Sequence, residues 1–132
     1  MPVERINPPE LIPPQGHTHV VRATGSTTLY LSGQGAYTAD RALVGADDHY
    51  AQTKQAFTNV LTALAAAGAT WGDVVKATYY VARISPEALE RFAAAMHDVI
   101  GEESPPAATM VGVECLAYPE MLVEIDVTAV VD

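Results

Sequence analysis

Positive charge is scarce in this sequence. Lys and Arg together number 7 against 16 Asp and Glu, which gives a formal net charge of −9 and a pI near 4.7. The basic residues form no run along the chain. Proteins that bind nucleic-acid phosphates or anionic membrane surfaces usually present a patch of Lys and Arg. The composition therefore disfavours both nucleic acid and membrane as partners.

Cysteine is almost absent, and histidine follows no regular pattern. The single cysteine, Cys115, can form no internal disulfide. It lies in an apolar stretch that is predicted to be a strand, so we expect a small buried side chain there. The 4 histidines show no metal-ligand spacing such as H-x-x-x-H. We therefore predict no metal site.

Long apolar runs are also missing. No run reaches the length of about 20 residues that a membrane-spanning helix needs. The first residues, MPVERINPPELIPPQG, contain no basic segment followed by an apolar one, which is the pattern of a secretory signal. The sequence thus predicts a cytoplasmic protein.

The chain does contain the pattern of one α+β domain over residues 1–132. Hydrophobic residues make up 49% of it, which is enough for a buried core. Acid residues Asp47 and Asp48 precede a first helix, and Ser85 followed by proline precedes a second. Gly68 and Gly101 end these helices. With strands in the remaining apolar segments, the predicted order is β-β-β-α-β-α-β-β, with both helices on one face of the sheet.

The other face of that sheet is predicted to carry apolar residues. The last strand, MLVEIDVTAVV, alternates, and one of its two sides is entirely apolar and should lie under the helices. Leu29, Leu31, Leu122 and Val130 are then expected on the uncovered side. An exposed apolar face usually finds a partner, so we expect a homo-oligomer with ligand sites between subunits.

Four segments together resemble one known family. They are LYLSGQG at 29–35, QTKQAFTNVLTALAAAGATWGDVVKATYYV at 52–81, PPAAT at 105–109 and LVEIDVTAV at 122–130. These segments resemble the RidA/YjgF family of reactive-imine deaminases over nearly the whole chain. The resemblance implies a chorismate-mutase-like fold with a six-stranded mixed sheet. It also implies a homotrimer with three clefts between subunits, and hydrolysis of 2-aminoacrylate and related enamines or imines with no metal or organic cofactor.

The stretch PPAAT differs from the family at one position. In archetypal members it reads P-A-R-[ST], and the arginine clamps the substrate carboxylate with two hydrogen bonds. Here Ala108 stands at the arginine position. Alanine cannot hold a carboxylate, so a small amino-acid imine should bind much more weakly. Arg22 and Arg83 could replace the missing cation only if the fold brings one of them near.

Other parts of the family's site persist. Glu124 matches the acid that orders or activates the hydrolytic water, and it is the predicted catalytic residue. Asp126 matches a second acid, for which site and structural roles both remain open. The family's tyrosine near the second strand corresponds to either His17 or His19, and its helix asparagine falls near Met96. The predicted ligand-binding residues are Ser32, Gly33, Ala108, Thr109, His17 and His19.

Three functions follow from this resemblance. The first is hydrolysis of an imine, enamine or related C–N substrate that is neutral or differently anchored. The second is a binding or regulatory trimer that keeps the clefts without the chemistry. The third, RNA cleavage, has been attributed to some members and is disfavoured by the acidic charge. The expected partners are therefore a small molecule and two further copies of the chain.

Overall fold

The order of elements is the predicted one. A computed structural model of the chain describes residues 3–103 and 105–132. Two helices and six strands form an α+β fold. The elements are β1 (Val3–Ile6), β2 (Val20–Ala23), β3 (Thr27–Tyr30), α1 (His49–Ala66), β4 (Val74–Ala82), α2 (Pro86–Ile100), β5 (Ala107–Val113) and β6 (Val123–Val131), with a 3-10 turn at Trp71–Asp73.

The helix boundaries come from the residues expected to set them. The side chains of Asp48 and Ser85 each accept a backbone N–H from the first turn of α1 and α2, at 3.0 Å in both cases. Gly68 and Gly101 have φ angles of 76° and 75° just beyond the two helix ends. This left-handed conformation favours glycine and stops a helix. Local sequence therefore fixes where both helices begin and end.

The six strands divide between two sheets. β1 and β2 form an antiparallel pair, and the other strands form a sheet in the order β3-β6-β4-β5, in which β4 and β5 are parallel. A bridge at Thr18 connects the two sheets, since its N–H donates to the carbonyl of Pro106 at 2.9 Å. The mixed character of the sheet is confirmed, but its strands are hydrogen-bonded as two plus four.

Both helices cover one face of the four-stranded sheet. The core between them contains an aromatic cluster, in which Phe57 of α1 lies against Trp71, Tyr79 and Phe92 at ring distances of 5.6, 5.8 and 5.7 Å. Tyr79 and Phe92 are 5.1 Å apart. These edge-on and tilted contacts join α1, β4 and α2. The helix side of the sheet is therefore a packed core, and the other side is free.

The predicted apolar patch on the uncovered face is wrong for its three leucines, and only Val130, opposite Thr28, lies on that face. Leu29 lies directly opposite Ala129, on the helix side, and Leu31 packs against the same core. Leu122 is 1% exposed within that core. It precedes Val123, the first residue of β6, so the alternation of the strand does not extend to it. The register between strands, rather than the apolar character of a residue, determines which face of the sheet its side chain occupies.

The uncovered face is mostly polar. Residues directly opposite each other in adjacent strands lie on the same side of a sheet. Tyr30 and Lys76 both pair with Thr128, and the side chain of Tyr30 is 82% exposed. The residues that share this face are Thr28, Tyr30, Lys76, Thr78, Tyr80, Ala82, Ala107, Thr109, Val111, Val113, Glu124, Asp126, Thr128 and Val130. An association through this face would therefore combine polar contacts with a few apolar ones, such as those of Tyr30 and Val111.

The expectation of a buried Cys115 is also wrong. β5 ends at Val113, so Cys115 lies in the following loop, where it is exposed. The strand pattern continues past Val113 in the sequence, but the hydrogen-bonded ladder with β4 ends there. In the part of the chain that the structure describes, no helix is both long enough and apolar enough to cross a membrane.

Candidate functional site

A short segment after β3 runs beside β6 and carries Gly33. The N–H of Leu31 donates to the carbonyl of Val127 at 3.1 Å, and Gln34 and Ile125 exchange two backbone hydrogen bonds of 2.8 and 2.9 Å. Gly33 consequently lies against the side chain of Glu124. A Cβ at Gly33 would stand 2.8 Å from Cδ of Glu124. The absence of a side chain at Gly33 makes room for the carboxylate.

The Glu124 carboxylate is half-buried on the uncovered face. Within residues 3–103 and 105–132, no protein group donates a hydrogen bond to it. Its cross-strand neighbour is Tyr80. Asp126, two residues further along β6, lies opposite Thr78 and is exposed. Ser32 is also exposed, next to Gly33. Glu124 therefore offers unoccupied acceptor oxygens to a water molecule or a ligand.

Polar side chains of α1 hold the segments on either side of this acid. Gln52, which is fully buried, donates to the carbonyls of Gly45 and Glu120 at 3.0 and 3.1 Å. Its amide oxygen accepts the N–H of Leu122 at 2.8 Å. Asn59 donates to the carbonyls of Gly35 and Tyr37, each at 2.9 Å. These two motif residues position the chain that leads into β6 and the segment after Gly33.

Thr109 also lies on the uncovered face, together with an unexpected cation. Thr109 pairs with Thr78 in the parallel ladder. Nζ of Lys76 donates to its Oγ1 at 3.2 Å. Sequence reasoning overlooked Lys76, although its position in the β4 motif was available. What places Lys76 beside Thr109 is the parallel pairing of β4 with β5, and the order of elements alone does not reveal that pairing.

Ala108 points to the opposite side, toward a cavity. It pairs with the buried Ala77 and packs against the core. The cavity has a volume of about 510 Å³ and opens at the β5 edge of the sheet. Its lining residues come from the loop before β2, from β4, from α2 and from β5. They are Gln15, Gly16, His17, Tyr79, Leu89, Phe92, Ala93, Met96, Ala108 and Met110.

The loop that carries His17 is fastened to the start of β5. Oγ1 of Thr18 donates to the carbonyl of Pro105 at 2.5 Å, and Nε of Arg5 donates to the same oxygen at 3.1 Å. His17 lines the cavity, whereas the ring of His19 lies 2.7 Å from the carbonyl of Ile12 within the loop. The structure thus places one of the two candidate histidines at the cavity.

Two buried polar atoms, Nε1 of Trp71 and the hydroxyl oxygen of Tyr79, have no hydrogen-bond partner among the described residues. The hydroxyl of Tyr79 is buried and has no hydrogen-bond partner among the described residues, and Tyr79 is 4% exposed. Burial raises the pKa of this phenol above its ordinary value, so it stays protonated. A buried hydroxyl without a partner is costly, and such groups usually find protein, water or a ligand. Tyr79 therefore lines the cavity with other atoms, while its hydroxyl is enclosed and has almost no accessible surface.

Neither arginine considered from the sequence reaches this cavity. Arg22 pairs with Glu4 at 2.8 Å, and Arg83 pairs with Asp47 at 3.0 Å. Arg5 is nearer in space, but its guanidinium is bonded to backbone carbonyls. Among the described residues, no Lys, Arg, Asp or Glu side chain lines the cavity, and its polar lining residues include Gln15 and His17.

Comparison with known proteins identifies the fold and the family. Residues 10–131 match a protein family described as "Endoribonuclease L-PSP". The Rid-family protein YyfB from Yersinia pestis is 38% identical over 99% of this chain and 100% of its own, with a TM-score of 0.93. The chain belongs to the Rid (YjgF/YER057c/UK114) family.

Two further Rid structures are similar over most of their length. YyfA, also from Yersinia pestis, is 30% identical over 95% of this chain and 94% of its own, with a TM-score of 0.70. Rv2704 from Mycobacterium tuberculosis, described as a member of the YjgF/YER057c/UK114 family, is 30% identical over 88% and 87%, with a TM-score of 0.64. The Rid fold thus accounts for the whole domain that carries both groups of candidate residues.

The predicted site residues of this Rid chain form two groups rather than one. Glu124, Ser32 and Gly33 lie together beside β6, and Thr109 lies on the same uncovered face. Ala108 and His17 line the cavity on the helix side. Of the other cavity residues, the sequence indicated Met96, which falls near the family's helix asparagine. Met110 could have been found because it lies two residues beyond Ala108 in the same strand.

Proposed function

We propose that residues 1–132 form a single Rid domain that assembles as a homotrimer and binds a small molecule in clefts between subunits. The Rid family is typically oligomeric. The observation that carries the proposal is the free Glu124 carboxylate lying against Gly33. A cytoplasmic location and the absence of a cofactor and a metal stay predictions from the sequence.

The placement of the two groups supports a cleft shared by two copies. Glu124 lies on the uncovered sheet face, and Ala108 lies on the helix face of the same sheet. A single small ligand cannot contact both groups in one chain, because the sheet separates them. A neighbouring copy whose uncovered face approaches the β5 edge would bring its Glu124 to this cavity.

In such a cleft, Glu124 would take a proton from a water molecule. The water oxygen would add to the carbon of a C=N bond, and Glu124 would pass the proton it took to the nitrogen, which gives a carbinolamine. Glu124 would then take the hydroxyl proton of this adduct and give it to the leaving nitrogen, so that the C–N bond breaks and a carbonyl compound and ammonia are released. A positioned carboxylate typically contributes about 10²- to 10⁴-fold to such proton transfers. The reaction consumes one water and needs no cofactor.

Ala108 shapes the substrate range that we propose. Without the carboxylate-clamping arginine of archetypal members, 2-aminoacrylate should be a poor substrate. The Lys76 ammonium does not compensate within the chain, because it is bonded to Thr109 on the other face. The absence of Lys, Arg, Asp and Glu side chains from the described cavity wall also favours a second candidate function, which is non-catalytic binding of a small ligand. RNA cleavage is the least favoured, because a net charge of −9 repels phosphate.

Two measurements test this proposal. Sedimentation equilibrium should give three times the chain mass of 14.0 kDa, and a monomer would refute the shared cleft. Ammonia release should then be followed from 2-aminoacrylate and from the uncharged imine that an amine oxidase makes from phenylethylamine. We expect the second to be hydrolysed faster than in buffer alone.

Two variants separate the enzyme from the binder. Glu124→Gln should abolish the acceleration, and Asp126→Asn, which removes an exposed acid from the same strand, should retain most of it. No turnover of any imine, together with saturable binding, would favour the binding function. Ala108→Arg should raise activity on 2-aminoacrylate, and no gain with an intact fold would show that more than this residue separates the chain from archetypal members.

A further inference from the structure

Another pocket lies between the loop after Gly35 and the loop that leads into β6. Its volume is about 490 Å³, which falls within the range of pockets that bind small organic molecules. The lining residues are Tyr37, Thr38, Arg41, Tyr118 and Glu120. None of them lines the cavity around Ala108, and the proposed function gives them no role.

Polar side chains of α1 fix the backbone on both sides of this pocket. Asn59 donates to the carbonyl of Tyr37 at 2.9 Å, and Gln52 donates to the carbonyl of Glu120 at 3.1 Å. The phenol of Tyr37 joins the two loops, because it donates to Oε2 of Glu120 at 2.6 Å. The two walls are therefore held at a fixed separation.

Two opposite charges line the pocket without pairing with each other. The hydrogen bond from Tyr37 lowers the pKa of Glu120, so this carboxylate is ionised at neutral pH. Arg41 forms no ion pair and no side-chain hydrogen bond among the described residues, although the chain is strongly acidic. By contrast, the arginines at positions 22, 83 and 91 each pair with an acid. The Arg41 guanidinium therefore has all its donors available to a ligand.

Arg41 occupies a backbone conformation that is uncommon for its residue type. Its φ angle is 65°, in the left-handed region that favours glycine. It lies in the turn of a short hairpin, where its N–H donates to the carbonyl of Thr38 at 3.0 Å and Tyr37 bridges Leu43. Residues with such strain cluster at functional sites. Since glycine would form this turn at lower cost, the arginine points to a use for its side chain.

The two tyrosines give the pocket an aromatic corner. The ring centroids of Tyr37 and Tyr118 are 6.1 Å apart, and the ring planes meet at 76°. Tyr118 is 59% exposed, so a ligand that covers its ring removes apolar surface from water. Aromatic faces also attract ammonium groups, and a guanidinium binds a carboxylate through two hydrogen bonds. The pocket thus combines partners for a cation, an anion and an apolar group.

We infer that this pocket binds a zwitterionic amino acid with an apolar or aromatic side chain. Arg41 binds the carboxylate, Glu120 and the aromatic corner bind the ammonium group, and the ring of Tyr118 covers the side chain. A ligand with a single charge would meet a like charge on the opposite wall, whereas a zwitterion satisfies both. The inference goes beyond the proposed function, because neither Glu124 nor the cavity around Ala108 takes part.

The test compares three probes that share a phenyl group and differ in charge. Phenylalanine is a zwitterion at pH 7, phenethylamine is a cation and 3-phenylpropionate is an anion. Binding to the full-length protein is measured by NMR, with the backbone amides of Arg41, Tyr118 and Glu120 as reporters. We expect phenylalanine to shift these signals and to bind at least about ten-fold more tightly than either other probe.

Two variants test the assigned charges. Arg41→Gln should bind phenylalanine no more tightly than phenethylamine, and Glu120→Gln should bind it no more tightly than 3-phenylpropionate. Arg83→Gln is the matched control, because Arg83 is also a left-handed arginine, with a φ angle of 52°, and lies outside this pocket. It should keep the wild-type preference for phenylalanine.

Arg41→Gly separates binding from folding. Glycine adopts this φ angle without strain, so the urea midpoint should stay or rise while the preference for the zwitterion is lost. A lower midpoint would show that the arginine serves the fold and would overturn the inference. So would equal affinity for the three probes, or no shift of the reporter amides with phenylalanine at millimolar concentration. Imine turnover enters none of these measurements, so selective phenylalanine binding would support the inference even if the proposed enzyme activity fails.

Discussion

Replacing Gly33 with alanine should displace the carboxylate of Glu124 while leaving the fold intact. An added Cβ would stand 2.8 Å from Cδ and 3.0 Å from Cγ of Glu124, whereas ordinary contacts begin at 3.4 Å. The carboxyl carbon must therefore move by about 0.6 Å, the difference between 3.4 and 2.8 Å. The moving atoms belong to the end of a flexible side chain, so the backbone need not shift.

The expected effect is large for activity and small for stability. A misplacement of about 1 Å in an active site can cost about 10²-fold, so we expect turnover of an accepted imine to fall between about ten-fold and a hundred-fold. The φ angle at Gly33 lies outside the left-handed region, so alanine introduces no backbone strain. The free energy of unfolding should therefore change by less than about 1 kcal/mol.

The assay is imine turnover together with urea unfolding for Gly33→Ala, Glu124→Gln and the double variant. Because Glu124→Gln is already expected to abolish the acceleration, the double variant should match it. Gly25→Ala is the contrasting control, because its Cβ would meet the carbonyl oxygen of Val131 at 2.8 Å and should lower stability without touching Glu124. Wild-type activity in Gly33→Ala would refute this reasoning.

Three further predictions concern the supporting structure. Gln52→Met should lower the free energy of unfolding by about 2–4 kcal/mol, because it leaves the buried N–H of Leu122 without its acceptor. Urea titration measures this change, and an unchanged unfolding midpoint would contradict the prediction. Burial and the Glu120 hydrogen bond raise the pKa of Tyr37 from 10.0 to about 12, so its contribution to stability is complete below pH 10 and lost as the pH rises through about 12. Tyr37→Phe should therefore lose less stability than wild type between these pH values. Thr18→Val should loosen the loop beside the cavity and speed amide exchange there, while α1 keeps wild-type exchange rates.

Much of the fold could be predicted because its signals are local. Helix caps at Asp48 and Ser85 and left-handed glycines at Gly68 and Gly101 are each written in a few adjacent residues. The faces of the strands were harder, because they depend on pairing between distant segments. Leu29 is apolar whichever side it occupies, and only its position opposite a β6 residue settles the question.

The sequence could name individual residues of the candidate site, but it could not show which of them lie close together. The motif positions singled out Glu124 and Gly33 separately, and the structure shows that one occupies the space that the other leaves. The cavity around Ala108 depends on tertiary packing, as does the unpartnered hydroxyl of Tyr79, which looks like ordinary sheet packing in the sequence. Buried polar groups without partners are visible only when every neighbour is placed.

Glu124 and the cavity around Ala108 lie on opposite faces of the sheet, so each can change in sequence without the other. Glu124 is the proposed catalytic residue, Gly33 leaves space for its carboxylate, and Gln52 of α1 holds the chain that leads into β6. None of these three residues lines the cavity. The cavity walls come from α2, β5 and the loop before β2. A substitution such as alanine for arginine at position 108 therefore changes what the cavity can hold without disturbing the acid, its space or its supports. Alanine at position 108 is for this reason weak ground for rejecting the proposed chemistry, and under the proposed function its more direct consequence would be a change in the charge of the accepted substrate.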